Sequence, residues 1–281
     1  MLNTKKIIRE KLSPIYPPSE VESLTRLILE HVTGLSRLQL HLNQTIPLAE
    51  PKIMQIGDIL NRLLANEPIQ YILGETEFYG LKFNVSPGVL IPRAETEELV
   101  DWIIAEEKEH CGSLLDIGTG SGCIPISIDK NLQFERVEGW DISDDALKIA
   151  ESNAIRNESK VHFSRQDIFH PTGIAELTKW DVIVSNPPYV LMEESNLMEK
   201  KVVDFEPHVA LFVPDNDPLI FYRTIAQFAA VQLHHHGSLY FEINESMGKA
   251  TVKLLQELGF KPILTRKDLQ GKDRMIQAKK N

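Results

Sequence analysis

The sequence predicts an α/β fold: a seven-stranded, doubly wound sheet with an antiparallel last strand, preceded by a small helical domain and a β-hairpin linker. Three observations carry that expectation. From residue 113 onward, short apolar runs alternate with helical patterns, the order of strand–loop–helix units. The last two runs, over 261–266 and 274–278, are joined by a segment too short for a helical crossover, so the final strand returns antiparallel. Before residue 75 the apolar spacing is helical instead.

Residues 1–75 form the expected helical domain. Ser19-Glu20-Val21-Glu22 has capping-box spacing, and Leu24, Leu27, Ile28 and Val32 then recur at helical intervals, with Gly34 as the C′ residue. A second helix is expected over 36–41 and a third over 51–65, the latter with Ile53, Ile56, Ile59, Leu60, Leu63 and Leu64 on its apolar face. No catalytic constellation falls here; His31 and His41 read as surface or packing residues, and the domain as a substrate-recognition module. Alternation around Gly80 over 77–85 predicts a hairpin, within a linker spanning 76–90. Ser86-Pro87-Gly88 is a turn, and a helix opened by Glu95 or Thr96 follows, burying Leu99, Val100, Ile103 and Ile104.

The remaining domain spans 91–281. Its strands are expected at 113–117, 136–141, 161–165, 181–185, 237–243, 261–266 and 274–278. Helices fit between most of them, at 123–131, 144–157, 218–233 and 245–258.

Bulk composition narrows the function classes. A length of 281 residues suggests about two domains, and 42% hydrophobic with 25% charged residues is an ordinary globular balance. A formal charge of −10 disfavours broad binding to nucleic acid, which depends on phosphate neutralisation. No apolar run approaches the roughly 20 residues that span a bilayer. Basic residues after Met1 are followed by no apolar h-region, so no signal peptide is read. Cys111, at an expected helix end, and Cys123, in a glycine-rich turn, lack metal-like spacing; a reduced, cytoplasmic, monomeric chain is expected.

Three strand ends carry candidate chemistry. Asn186-Pro187-Pro188-Tyr189 follows the apolar run Val182-Ile183-Val184. Asn before Pro is pushed out of the α region, and prolines donate no backbone hydrogen bonds, so the turn is rigid and rich in acceptors. It suits a planar ligand bearing NH2: the Asn186 oxygen and Pro187 carbonyl accept its two N–H bonds, Tyr189 packs on its face, and Pro188 holds the turn. An ordinary strand-ending turn is the rival reading. Asp116-Ile117-Gly118-Thr119-Gly120-Ser121-Gly122 ends the first strand and opens a helix, where glycines admit a close ligand and the helix start supplies N–H groups. Its spacing lacks the longer interval of dinucleotide fingerprints. Asp141, ending the second strand, can accept two ribose hydroxyls, and Asp167 can accept from an adenine amino group beside Ile168 or Phe169. Ligands of open α/β sheets bind at these carboxyl ends. His234-His235-His236 reads as a polar helix end rather than a metal site, since consecutive histidines cannot all face one ion.

The strand pattern and the glycine loop resemble the S-adenosylmethionine-dependent methyltransferase fold. Further stretches sharpen the likeness: Gln70-Tyr71-Ile72-Leu73-Gly74-Glu75, the run from Val89 through Ile91-Pro92-Arg93 and Glu95-Thr96-Glu97 to Val100, Phe205-Glu206-Pro207-His208, and the run from Asp268 to Arg274. With Asn186-Pro187-Pro188-Tyr189-Val190 they resemble the protein-glutamine methyltransferases that modify peptide chain release factors. The resemblance implies methylation of the side-chain amide of the glutamine in a release factor's Gly-Gly-Gln loop, with S-adenosylmethionine as donor. It implies a cofactor site of Gly118, Thr119, Gly120, Ser121, Gly122, Asp141, Asp167, Ile168 and Asn186, and an amide site of Asn186, Pro187, Pro188 and Tyr189. Ile168 stands where some members carry tryptophan, and offers apolar contact without stacking. Pro125, early in the helix after the loop, is unexpected but tolerable near a helix start. Arg93, Glu95, Glu97 and Glu206 are expected to form salt bridges that tie the hairpin and the loop after Tyr189 to the sheet. Two readings stay open beside this one: an adenine-amino methyltransferase acting on RNA or DNA, and a non-catalytic S-adenosylmethionine-binding module.

Overall fold

The computed structural model describes residues 2–109, 112–173 and 179–281, so the helix end expected at Cys111 lies outside the described residues. The chain divides into two compact units, Met1–Gly74 with Glu199–Phe205, and Glu75–Met198 with Glu206–Asn281.

The smaller unit contains α1 (Leu2–Leu12), α2 (Pro18–Thr33), α3 (Arg37–Leu42), α4 (Glu50–Leu64) and α5 (Ile69–Leu73). Ile8, Leu12, Leu24, Ile28, Leu29, Leu60 and Leu63 form its core. Of the apolar face expected on α4, Ile53 and Leu64 are exposed, because they sit at the edges of the stripe. The capping box expected at Ser19 is not formed. Pro17 is the N-cap of α2 and makes no side-chain cap bond, while Pro18 enters the first turn, where its fixed φ already fits the helix. A capping box does form one helix later, between Ser36 and Gln39. Gly34 ends α2 at φ 71°, as expected, and its N–H donates to the Glu30 carbonyl.

The larger unit begins with the hairpin β1 (Glu75–Phe78) and β2 (Leu81–Asn84), whose turn places Tyr79 and Gly80 at φ 49° and 73°. Asn153 fastens this hairpin. Its amide accepts from the Asn84 N–H at 2.6 Å and donates to the Asn84 carbonyl at 3.0 Å and the Ser121 carbonyl at 2.9 Å. The hairpin, set apart in the sequence as a linker, thereby reaches the glycine loop. Glu97 accepts the Tyr79 N–H at 2.7 Å and ties the hairpin turn to the next helix.

Beyond it run α6 (Ala94–Glu107), β3 (Ser113–Ile117), α7 (Cys123–Asn131), β4 (Arg136–Asp141), α8 (Asp144–Arg156), β5 (His162–Arg165), β6 (Trp180–Ser185) and β7 (Val190–Leu191). A 3-10 turn over Met192–Leu197 leads to α9 (Lys200–Phe205), which groups with the smaller unit. Then come α10 (His208–Leu211), β8 (Phe212–Val213), α11 (Ile220–Gln232), β9 (Leu233–Glu242), α12 (Gly248–Glu257), β10 (Ile263–Lys267) and β11 (Asp273–Lys279).

The main sheet has seven strands in the order β10-β11-β9-β6-β3-β4-β5. The pairs β3/β4, β4/β5, β3/β6 and β6/β9 are parallel, while β11 is antiparallel to both β9 and β10. The antiparallel last strand is therefore as expected. Every residue of β3 is buried, as the central strand of a sheet covered on both faces should be. Asp116 is its one ionisable member. Strand order reverses at β3, which puts a topological switch point between the ends of β3 and β6. No helix among the described residues is long and apolar enough to cross a membrane.

Two further local expectations fail. α6 is capped by the backbone of Arg93, and neither Glu95 nor Thr96 opens it; Thr96 is buried inside the first turn. His234, His235 and His236 are exposed members of β9, not a helix end. They bulge where the β6/β9 register shifts between Trp180 and Val182, and His236 takes φ 65° while its N–H donates to the Lys280 carbonyl.

Candidate functional site

A cavity of about 290 Å³ opens at the carboxyl ends of β3, β4 and β6, lined by Gly118, Thr119, Gly120, Ser121, Asp141, Asp167, Ile168, Asn186, Pro187 and Pro188 among others. Motifs far apart in the chain thus meet in one place. The Ser185 hydroxyl donates to the Ile117 carbonyl at 2.6 Å, which pins the end of β6 against the end of β3 and brings Asn186 beside Gly118.

The glycine loop works by shape more than by free donors. Gly118 and Gly120 take φ 77° and 54°, and a Cβ on either would meet nothing within 4 Å, so the left-handed backbone is what selects glycine there. The Gly118 and Thr119 N–H groups both donate to the Trp140 carbonyl, Gly120 to Asp141, and Gly122 to the Thr119 carbonyl. Those four donors are engaged within the protein. Gly122 is a different case from its neighbours. It does not line the cavity, and a Cβ there would lie 3.0 Å from both Ile126 and Phe163, so it serves helix packing.

Charge around the cavity is acidic. The Asp141 carboxylate accepts the Gly120 N–H through Oδ2 and the Ser143 N–H through Oδ1, both at 2.9 Å. Ser143, not Asp141, caps α8. Burial raises the Asp141 carboxyl above its ordinary range, and those backbone donors oppose the rise. Asp167 accepts the Phe169 N–H through Oδ1 at 2.9 Å in a local turn, which leaves Oδ2 for a ligand. Behind them Asp116 is fully buried; among the described residues neither of its oxygens receives a well-directed hydrogen bond, and the nearby polar group is the Thr119 hydroxyl. Burial pushes its carboxyl up to about 7, with the Thr119 hydroxyl opposing and the charge of Asp141 adding. Arg93 is the lining cation, and it is committed to the buried Glu206, whose other oxygen accepts the Ile91 N–H. Of the salt bridges expected to tie the hairpin and the loop after Tyr189 to the sheet, Arg93–Glu206 forms and joins the segment before α6 to the segment after α9, whereas Glu97, among the described residues, accepts the Tyr79 N–H instead of pairing with a cation. A phosphate-binding loop needs free N–H groups and spare positive charge. This site has the opposite character and fits a cation attached to an apolar plane, for which Ile117, Ile124, Trp140, Ile168, Phe169, Phe221 and Ile225 supply walls. The Cys123 thiol also lines the cavity, but burial pushes it up to about 12, so it stays protonated and offers no thiolate.

The amide end is held by a buried carboxylate. Glu242, at the end of β9, accepts the Thr96 hydroxyl through Oε2 at 2.6 Å and the Tyr189 hydroxyl through Oε1 at 3.2 Å. Asn186 Nδ2 donates to Thr96 Oγ1 at 3.3 Å. Burial raises the Glu242 carboxyl, while these two hydroxyls and the charge of Arg274 hold it down. Tyr189 therefore does not line the cavity; its ring packs against the core beside α11 and its phenol, raised by burial and by Glu242, stays protonated. Pro187 and Pro188 do line it.

Reading the sequence does not single out Thr96 and Glu242 as residues of this site. A signal for Glu242 existed: a carboxylate ending the apolar run Leu239-Tyr240-Phe241, the same pattern that marks Asp116 and Asp141. Gly139 is not singled out either. A Cβ there would come within 2.6 Å of Phe163 and 2.8 Å of Thr119 Oγ1, so it lets β4 pass close beneath the loop.

Comparison with known proteins adds independent findings. Residues 7–74 match a family model described as the PrmC N-terminal domain, and residues 96–204 match the methyltransferase small domain. A Bacteroides thetaiotaomicron protein named release factor glutamine methyltransferase is 48% identical over 271 residues, covering 96% of this chain and 97% of its own. A protein of the same name from Flavobacterium psychrophilum is 45% identical over 273 residues, covering 96% and 95%. Among solved structures, a T. thermophilus 16S rRNA N2 G1207 methyltransferase in complex with AdoMet and guanosine aligns with TM-score 0.55 and 18% identity, over 74% of this chain and 50% of its own. That structural likeness concerns the fold alone.

Proposed function

This chain belongs to the release factor glutamine methyltransferase family, and on that premise we propose that it transfers a methyl group from S-adenosylmethionine to the side-chain amide nitrogen of the glutamine in a release factor's Gly-Gly-Gln motif. The observation that carries the proposal is the meeting, in one acidic and apolar cavity, of an Asn186 amide held at a strand end with the Gly118–Ser121 loop and Asp141.

The residues fit the donor. Asp141 has lone pairs left to accept ribose hydroxyls, and Asp167 Oδ2 can accept from the adenine amino group. Ile168, Phe169 and Phe221 supply apolar surface for the adenine plane. The acidic lining of Asp141 and Asp167, with Asp116 buried behind it, favours the positive sulfonium and ammonium groups. When bound, the sulfonium supplies an electrophilic methyl group.

What the chain must do is present the nucleophile. A carboxamide nitrogen is poor because its lone pair is delocalised into the carbonyl. Thr96 holds Asn186 Nδ2, so Oδ1 is free to accept one N–H of the glutamine amide, and the Pro187 carbonyl can accept the other. Both acceptors strengthen as positive charge develops on that nitrogen, which lowers the barrier rather than the ground state. No base is needed before transfer; the methylated nitrogen keeps one of its two protons and releases the other to water once the methyl is in place. The apolar walls exclude water that would compete for those acceptors. We assign the helical domain over residues 1–75 to binding the release factor, and the protein to the cytoplasm as a monomer; the match of residues 7–74 to the PrmC N-terminal domain supports the first of these.

Incubating the protein with methyl-labelled S-adenosylmethionine, and either a release factor or total RNA and DNA, tests the choice of acceptor. Label is expected in the release factor. Label in nucleic acid alone would contradict the proposal.

A further inference from the structure

Asn186 can serve as an acceptor only if its amide faces the right way. An amide presents either oxygen or NH2 to the cavity, and the two differ by a rotation that costs little unless a neighbour distinguishes them. Thr96 is such a neighbour, but a hydroxyl can donate or accept and so decides nothing by itself. Glu242 decides it. With Glu242 ionised its carboxylate accepts only, and Thr96 Oγ1 lies 2.6 Å from its Oε2, so in that state the single hydroxyl proton is directed there. The lone pairs of Thr96 then face Asn186, and the group they hold at 3.3 Å is the Nδ2 donor. The other carboxylate oxygen accepts from Tyr189, so both ends of Asn186-Pro187-Pro188-Tyr189 hang from one side chain. Glu242 and Thr96 are both buried, which keeps water from offering alternative partners.

We propose that Thr96 and Glu242 are positioning residues that set the Asn186 amide with its oxygen toward the methyl acceptor. The inference rests on the reading of Asn186 Oδ1 as an acceptor for a glutamine amide. Without the relay, the amide populates both orientations, and the inverted one puts a donor against the glutamine NH2. Turnover falls while donor binding, carried by the loop and Asp141, is unaffected.

The test compares Thr96→Val, which keeps the shape and removes the hydroxyl, with Thr96→Ser, which keeps the hydroxyl and removes a methyl. The readouts are kcat with a release factor, the KM for S-adenosylmethionine, and the melting temperature of each variant. Thr96→Val is expected to lower kcat roughly ten- to hundredfold with the donor KM within about twofold of wild type, and Thr96→Ser to recover most of the loss. Equal impairment of the two variants would assign Thr96 a packing role and overturn the proposal, as would full activity of Thr96→Val. Should Thr96→Val fail to fold, the decision passes to Thr96→Ser against Thr96→Ala: equal rates overturn the relay, and a rate advantage for serine supports it. Wild-type protein inactive on every release factor would instead remove the underlying reading, a result distinct from any pattern among the variants.

Discussion

Asn186→Ala is expected to lower turnover on a release factor by roughly 10²–10³-fold while leaving the affinity for S-adenosylmethionine within about twofold. The separation follows from where the two tasks lie. In the proposed site the donor would contact the glycine loop, Asp141 and the apolar walls, and Asn186 is only one of the residues lining that cavity. Its amide oxygen has no counterpart for the acceptor except the Pro187 carbonyl. Removing it leaves one glutamine N–H unpaired as charge builds on the nitrogen, a loss confined to the transition state. Steady-state kinetics with calorimetric donor titration checks this. Equal losses in rate and donor affinity would contradict the assigned role.

Asp116→Asn is expected to change how stability depends on pH. The folded carboxyl is raised by burial to about 7 from an ordinary 3.8, so the folded state holds its proton more tightly than the unfolded chain does. Below the unfolded value both states are protonated and the group imposes no ionisation penalty. As pH rises toward 7 the unfolded chain ionises freely while the folded one resists, and stability falls by an amount on the order of a few kcal/mol. Above 7 the penalty is constant. A carboxamide in its place cannot ionise, so Asp116→Asn should flatten this part of the profile and be the more stable protein at pH 8 without donor. Asp141 and Glu242 are raised too, and both are present in either protein, so the difference between the two profiles reports Asp116 together with its coupling to Asp141. Saturating S-adenosylmethionine, a cation, should favour the ionised carboxylate and reduce the difference. Urea titrations between pH 4 and 8 measure it; identical slopes would contradict the account.

Much of this architecture can be read from residues alone, and the reasons are specific. β3 occurs where its buried run predicts, because a strand covered on both faces is largely apolar and loops must interrupt it; β4 also occurs where expected, although only Val137, Gly139 and Trp140 of it are buried. The short joint before β11 dictates its direction, since no helix fits there. The cavity residues Ile117–Ser121, Asp141, Asp167 and Asn186 are legible because an open parallel sheet exposes only its strand ends.

The parts that are not legible depend on partners far apart in the chain. Nothing local tells that Thr96 meets Glu242, or that this pair reaches Asn186 and draws Tyr189 away from the cavity. Gly122 looks like its two neighbours, but only packing against Phe163 and Ile126 reveals its different task. The histidine triplet reads as a helix end because α11 precedes it directly; the register shift against β6 is what absorbs it into β9. At α2, local capping chemistry loses to the preset φ of Pro18.

Tandem mass spectrometry of the Gly-Gly-Gln peptide, from a release factor treated with this protein and S-adenosylmethionine, tests the central claim most directly. One methyl group on the side-chain amide of that glutamine, absent when the protein is omitted, is the predicted result; an unmodified glutamine, or a methyl group on any other residue, would contradict it.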